Sequence, residues 1–245
     1  MSGSQTARVW TEDWVGNSLY CPNCGNESLN QFTANTPLAD FFCSKCNDQF
    51  ELKSQKKPFG RKVANGAYAT KIKRLTSNSS PNLILMKYDS TVRRVEDICF
   101  VPRQFFVPST IERRKPLKPT ARRAGWIGSN ILLSRIPDAG RIFAVKDGYI
   151  EPPEIVRKRW ADSLFLRDQA LSNRGWLIAV MNCIEALQSP SFSLEEIYAF
   201  EGDLQTQYPD NNNVRPKIRQ QLQVLRDNGY LLFTGRGNYQ LTDRR

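Results

Sequence analysis

Four cysteines constrain this chain more tightly than any other feature. They fall in two pairs, Cys21-Pro22-Asn23-Cys24 and Cys43-Ser44-Lys45-Cys46, with 18 residues between the pairs. Two such knuckles bring four thiolates to the corners of one tetrahedron, the coordination of a structural Zn²⁺. Pro22 and Gly25 suit a tight first knuckle whose backbone N–H groups point at sulfur. Two disulfides would use the same residues. However, Met1 to Gln5 carries no apolar secretory core, and an oxidising compartment is not expected. The spacing therefore predicts a zinc-held hairpin in a cytoplasmic protein. No apolar run is long enough to predict a membrane helix. Cys99 and Cys183 sit alone in apolar surroundings and are predicted to be buried small hydrophobes.

The chain contains no histidine. That excludes imidazole as a general base, nucleophile partner or metal ligand. Its 35 Lys and Arg against 24 Asp and Glu leave a net charge of +11, all of it within residues 1–165, where 26 bases face 15 acids. Residues 166–245 carry nine of each, but unevenly: 181–213 hold six carboxylates and no base, and 214–245 hold seven bases and two acids. A basic first part and a basic final segment predict a polyanionic partner, with nucleic acid as the default.

The second knuckle is flanked by carboxylates. Asp40 precedes Cys43 by three residues and Glu51 follows Cys46 by five, each in a short aromatic-rich run that reads as a strand. Side chains alternate along a strand, so Glu51 and Lys53 share a face opposite Phe50 and Leu52. If the two strands pair through the knuckle hairpin, Asp40, Glu51 and Lys53 converge. Two hard-oxygen ligands suit Mg²⁺, and the adjacent ammonium can orient a water or stabilise charge developing on a phosphodiester. Taken alone, this spacing is also that of a wet strand face.

Asp40 with Glu51-Leu52-Lys53 resembles the PD-(D/E)xK nuclease signature, with Pro37 displaced three residues ahead of Asp40. The wider chain resembles the DpnI-type methyl-directed restriction endonucleases. The likeness runs through Thr11-Glu12-Asp13-Trp14, Cys21-Pro22-Asn23-Cys24-Gly25-Asn26, Phe50 to Ser54, Asn65-Gly66-Ala67-Tyr68-Ala69-Thr70, Pro119 to Gly128 and Lys217 to Asp227. This resemblance implies an α/β (α+β) PD-(D/E)xK nuclease core with an inserted four-cysteine zinc knuckle, residues 1–165, and a small winged-helix domain, residues 166–245. It implies hydrolysis of both strands within GATC carrying N6-methyladenine to give blunt ends, in a prokaryotic cell, by a chain monomeric in solution. Asp40, Glu51 and Lys53 match the family's catalytic positions, and Cys21, Cys24, Cys43 and Cys46 its zinc ligands. The competing class is a zinc-ribbon, winged-helix DNA-binding regulator without nuclease activity, which would not need Mg²⁺.

The winged helix is also legible in the residues. Apolar positions 177, 180, 181, 184 and 187 form a helical stripe. Ser193 and Glu196 make a capping box that opens a second helix to about Gln207. A third helix begins near Pro216 and ends at Asn228-Gly229, and a hairpin follows. On the third helix Gln220 and Gln223 lie opposite the core face and can bond adenine N6 and N7 in a major groove. Lys217, Arg219 and Arg236 are predicted to hold phosphates. Arg103 to Arg123, with seven bases, one acid and three prolines, reads as an extended loop. Within it Arg122 and Arg123 precede Trp126, which is predicted either to touch the methylated base or groove wall or simply to pack. Asn65 to Arg74 reads as a helix with a basic face near the active site.

Overall fold

The computed structural model describes residues 3–33 and 39–242; Pro37 lies outside them. It is a mixed α/β protein. Helix α1 (Gly3–Ser18) leads through β1 (Asn30–Gln31), β2 (Phe41–Phe42) and β3 (Gln49–Gln55) to β4 (Val63–Ala67) and α2 (Tyr68–Thr76). Then come β5 (Asn82–Asp89), β6 (Arg94–Val101), β7 (Ile111–Arg113), β8 (Gly128–Ile131), β9 (Ile142–Lys146) and β10 (Tyr149–Ile150). Helices α3 (Pro153–Asp162) and α4 (Leu171–Ala186) precede β11 (Ser191–Ser193), α5 (Leu194–Tyr198), α6 (Glu201–Gln207) and α7 (Val214–Asp227). β12 (Leu231–Gly235) and β13 (Asn238–Leu241) close the described chain.

Seven strands form the main sheet in the order β1-β2-β3-β5-β6-β9-β10, antiparallel except for the parallel β3–β5 pair. The unbroken apolar run Leu83-Ile84-Leu85-Met86 is what a strand covered on both faces requires. Ile84 and Met86 join one buried cluster with Phe41, Phe50, Phe100 and Trp160, whereas Leu83 and Leu85 face a second. In the first cluster the rings of Phe50, Phe100 and Trp160 pack with centroids 6.1–6.2 Å apart. This pins β3 with Phe50 inward, so its neighbour Glu51 points to the other face. The second cluster continues past Phe105, Phe106 and Val107 into Trp176, Leu177, Ile218 and Leu222, so the C-terminal helices share a core with the sheet.

The segment predicted as one extended loop from Arg103 to Arg123 is corrected. Arg103–Phe105 and Pro108–Thr110 are 3₁₀ turns and Ile111–Arg113 is a strand. Phe105, Phe106 and Val107 are fully buried: their burial outweighs the prolines and charges that suggested a loop. The helix expected from Asn65 begins only at Tyr68, after a strand. The C-terminal part has its helices and hairpin, with β11 added as a third strand. The second helix is interrupted at Ala199-Phe200, giving α5 and α6. Its capping box is present: Glu196 accepts from the Ser193 amide at 2.7 Å. Cys99 and Cys183 are buried. Among the described residues no helix is long and apolar enough to cross a membrane.

Candidate active site, metal centre and nucleic-acid interface

The cysteine knuckles close the β2–β3 hairpin, in which Phe41 pairs with Phe50 and Phe42 with Gln49. The four Sγ atoms lie within 4.8 Å of one another. Cys21 and Cys46 are 3.6 Å apart, and Cys24 and Cys43 3.5 Å. Zn–S bonds of about 2.3 Å in a tetrahedron separate sulfurs by about 3.8 Å, so the donor set fits Zn²⁺. Disulfides need a far shorter S–S distance, and all four cysteines are free.

The same hairpin joins Asp40 to Glu51. The Asp40 amide donates to the Phe50 carbonyl at 2.9 Å, and Asp40 Oδ2 accepts from the Leu52 amide at 2.7 Å. These bonds hold Asp40 on the face opposite Phe41, in line with Glu51 and Lys53. Lys53 Nζ sits 2.8 Å from Glu51 Oε1. All three side chains open into one cavity of about 570 Å³, walled also by Arg8 and Glu12 of α1, Asn65 of β4, and Lys71 and Arg74 of α2. Burial raises the Asp40 pKa; the Glu51 charge adds to this, while the Leu52 amide and Lys53 oppose it. Burial works against the Glu51 charge too, but Lys53, Lys71 and the Asn65 amide outweigh it and lower its pKa. Two carboxylates with unlike pKa values beside an ammonium can hold a divalent cation and stay ionised around it.

Two roles were missed from sequence, those of Asn65 and Glu12, and a third residue, Lys71, differs from its expected exposure. The pairing of β4 with β8 slips between Asn65 and Ala67. Such a bulge re-aims side chains, and Asn65 here donates to Glu51 at 3.2 Å. Glu12 is paired with Arg8 at 2.6 Å, and Gln31 donates to it at 2.9 Å. The Arg8–Glu12 spacing of four on a helix was the available signal. Lys71 belongs to the basic face expected near the active site, but it is 5% exposed and its ammonium lies 4.6 Å from the Phe106 centroid.

The C-terminal candidates differ in exposure and in partners. Gln220, Gln223 and Arg236 are exposed. Lys217 Nζ is braced to Asn173 at 2.9 Å and to Gln220 at 2.8 Å, and Arg219 donates to the Tyr198 hydroxyl. Arg122 and Arg123 are exposed, and the Arg123 guanidinium stands 4.7 Å from the Trp126 ring centroid. Trp126 itself packs against Gly128, where an added Cβ would lie 2.8 Å from the ring. The ring is therefore half-buried against β8.

Against this geometry, the family of DpnI, described as the Dam-replacing family, matches residues 1–169, and the Dam-replacing HTH domain matches residues 172–241. The chain belongs to the Dam-replacing family. Membership in it implies a restriction endonuclease acting on methylated DNA, and the second match supplies a helix-turn-helix DNA-binding domain whose last helix is α7.

Proposed function

We propose that this chain is a type II restriction endonuclease with a PD-(D/E)xK core, which hydrolyses both strands of GATC carrying N6-methyladenine and leaves blunt ends. The observation that carries the reading is the convergence of Asp40, Glu51 and Lys53 in one cavity, in a member of the Dam-replacing family. Asp40 and Glu51 hold Mg²⁺; when bound it supplies Lewis-acid polarisation of the phosphodiester and a more acidic water. Lys53 orients the attacking water and stabilises the charge building on the phosphate oxygens. Cys21, Cys24, Cys43 and Cys46 hold a structural Zn²⁺ that fixes the hairpin on which Asp40 and Glu51 sit.

The catalytic domain spans residues 1–165 and the winged helix residues 166–245, acting as a monomer in the cytoplasm of a prokaryotic cell. Gln220 and Gln223 read adenine edges; a methylated N6 keeps one hydrogen, so the amide contact survives methylation. Lys217, Arg219 and Arg236 hold phosphates, which set register without reading sequence. Arg122, Arg123 and Trp126 meet the DNA from the first domain. Digesting one plasmid, prepared with and without adenine methylation, in Mg²⁺ tests the reading. Cleavage of the methylated form alone, to blunt ends at GATC, is expected; cleavage of neither form in Mg²⁺ would sink it.

A further inference from the structure

Lys71 is a buried cation for which the proposed chemistry has no use. Helix α2 presents it from one wall of the cavity, with Leu75 one turn further on buried in the core and Phe106 fully buried beneath its ammonium. Burial lowers its pKa to about 8, with Glu51 acting in the opposite sense. It lines the same cavity as the Glu51 carboxylate and favours its charge, while Lys53 pairs with that carboxylate at 2.8 Å. The carboxylates of this cavity have protein partners: Glu51 has Lys53 and Asn65, Asp40 the Leu52 amide, and Glu12 Arg8. Lys53 and Arg8 are on partly exposed side chains that can turn away. Lys71, packed over Phe106, cannot. A fixed charge in a site shielded from solvent is little screened by salt.

We propose that Lys71 makes metal loading conditional on DNA: its charge opposes a divalent cation at Asp40 and Glu51 in the DNA-free protein, and an incoming phosphodiester offsets that opposition. The proposal rests on Asp40 and Glu51 being the metal ligands. The anionic phosphate meets the cations of α2 as it enters, so the site becomes receptive to a dication only when substrate is seated. A nuclease built this way carries little active metal while unbound.

The test is electron paramagnetic resonance titration of Mn²⁺ into the zinc-loaded full-length protein, without DNA and with a hydrolysis-resistant phosphorothioate duplex carrying methylated GATC. Without DNA, Lys71→Met and Lys71→Gln should each bind Mn²⁺ about tenfold more tightly, the scale of one unit charge acting across a partly shielded cavity. Lys71→Arg should keep the wild-type affinity. The duplex should tighten Mn²⁺ binding to the wild type and shrink the advantage of the two neutral variants. If neither neutral variant binds more tightly, or if the advantage is the same with and without duplex, the proposal is overturned. Asp40→Asn separates the two readings: retention of the Mn²⁺ site in that variant removes Asp40 as a ligand, whatever Lys71 does.

Discussion

Asp48 and Arg167, 119 residues apart in the chain, form an ion pair of 3.0 Å that ties the second cysteine knuckle to the segment entering α4. The Asp48 side chain is 5% exposed and that of Arg167 21%. Arg167 also reaches Gln104, whose amide donates to Ser163 at 2.8 Å. Removing one partner leaves a cation in a largely dry place, which costs more than the pair itself contributes. Asp48→Asn should lower stability by about 2 kcal/mol and the unfolding midpoint by about 5 °C. Thermal unfolding of the zinc-loaded protein checks this, and an unchanged midpoint would show that the pair does not link the two segments.

Asp40→Ala should abolish cleavage while leaving the fold and methylated-DNA binding in place. A metal that polarises the phosphodiester is worth several kcal/mol at the transition state, which is about a thousandfold or more in rate. Binding in the variant should hold or improve, since a negative charge beside the phosphate is gone. Single-turnover cleavage and a binding titration, run on the same preparation, measure the two effects separately.

Cys21→Ser should instead strike the fold. Cys21 and Cys43 are fully buried, and a bound structural Zn²⁺ contributes its binding energy directly to folding. The variant, or wild type treated with a strong chelator, should lose cooperative unfolding of the sheet that carries Asp40 and Glu51. Zinc content by mass spectrometry, followed by near-ultraviolet circular dichroism, reports both steps.

Ser193→Ala should cost about 1 kcal/mol, the usual worth of an N-cap. Its pH dependence follows from Glu196, whose pKa is lowered by hydrogen bonds to the backbone and side chain of Ser193. A carboxylate with a depressed folded-state pKa stabilises above its ordinary value of 4.5 and loses that stabilisation as pH falls through the folded value. The stability gap between wild type and Ser193→Ala should therefore narrow below about pH 4.5. A constant gap from pH 7 to pH 3 would rule out the hydrogen bond that the Ser193 hydroxyl donates to Glu196.

Gln223→Ala and Arg236→Ala should separate base reading from phosphate holding. Loss of an amide that bonds adenine costs about 1–3 kcal/mol of discrimination against other bases, so Gln223→Ala should relax preference for adenine in the site. Arg236→Ala should weaken all duplexes alike and reduce the salt dependence of binding by about one phosphate contact. Titrations with cleavage-dead protein on duplexes with and without a base change at the GATC adenine, at several salt concentrations, distinguish the two patterns.

The local chemistry of this protein was legible in its residues. Cysteine spacing announced the four-sulfur cluster, and the alternation Phe50, Glu51, Leu52, Lys53 announced which side chains share a face. Ser193 and Glu196 announced a helix start, and Gln220 with Gln223 announced the exposed side of α7. Each of these signals acts over a few residues, through strand or helix period or a cap, and so survives without knowledge of the fold. The tertiary structure decided what meets across long separations. It set β3 beside β5 in parallel, buried Phe105 to Val107 where charges and prolines suggested a loop, and broke the second C-terminal helix at Ala199-Phe200. It also brought Asn65 against Glu51 and Lys71 into the same cavity. No local period encodes such meetings, because they follow from covering both faces of one sheet, and a charged side chain like Lys71 ends buried only where packing from several elements leaves it no path to water.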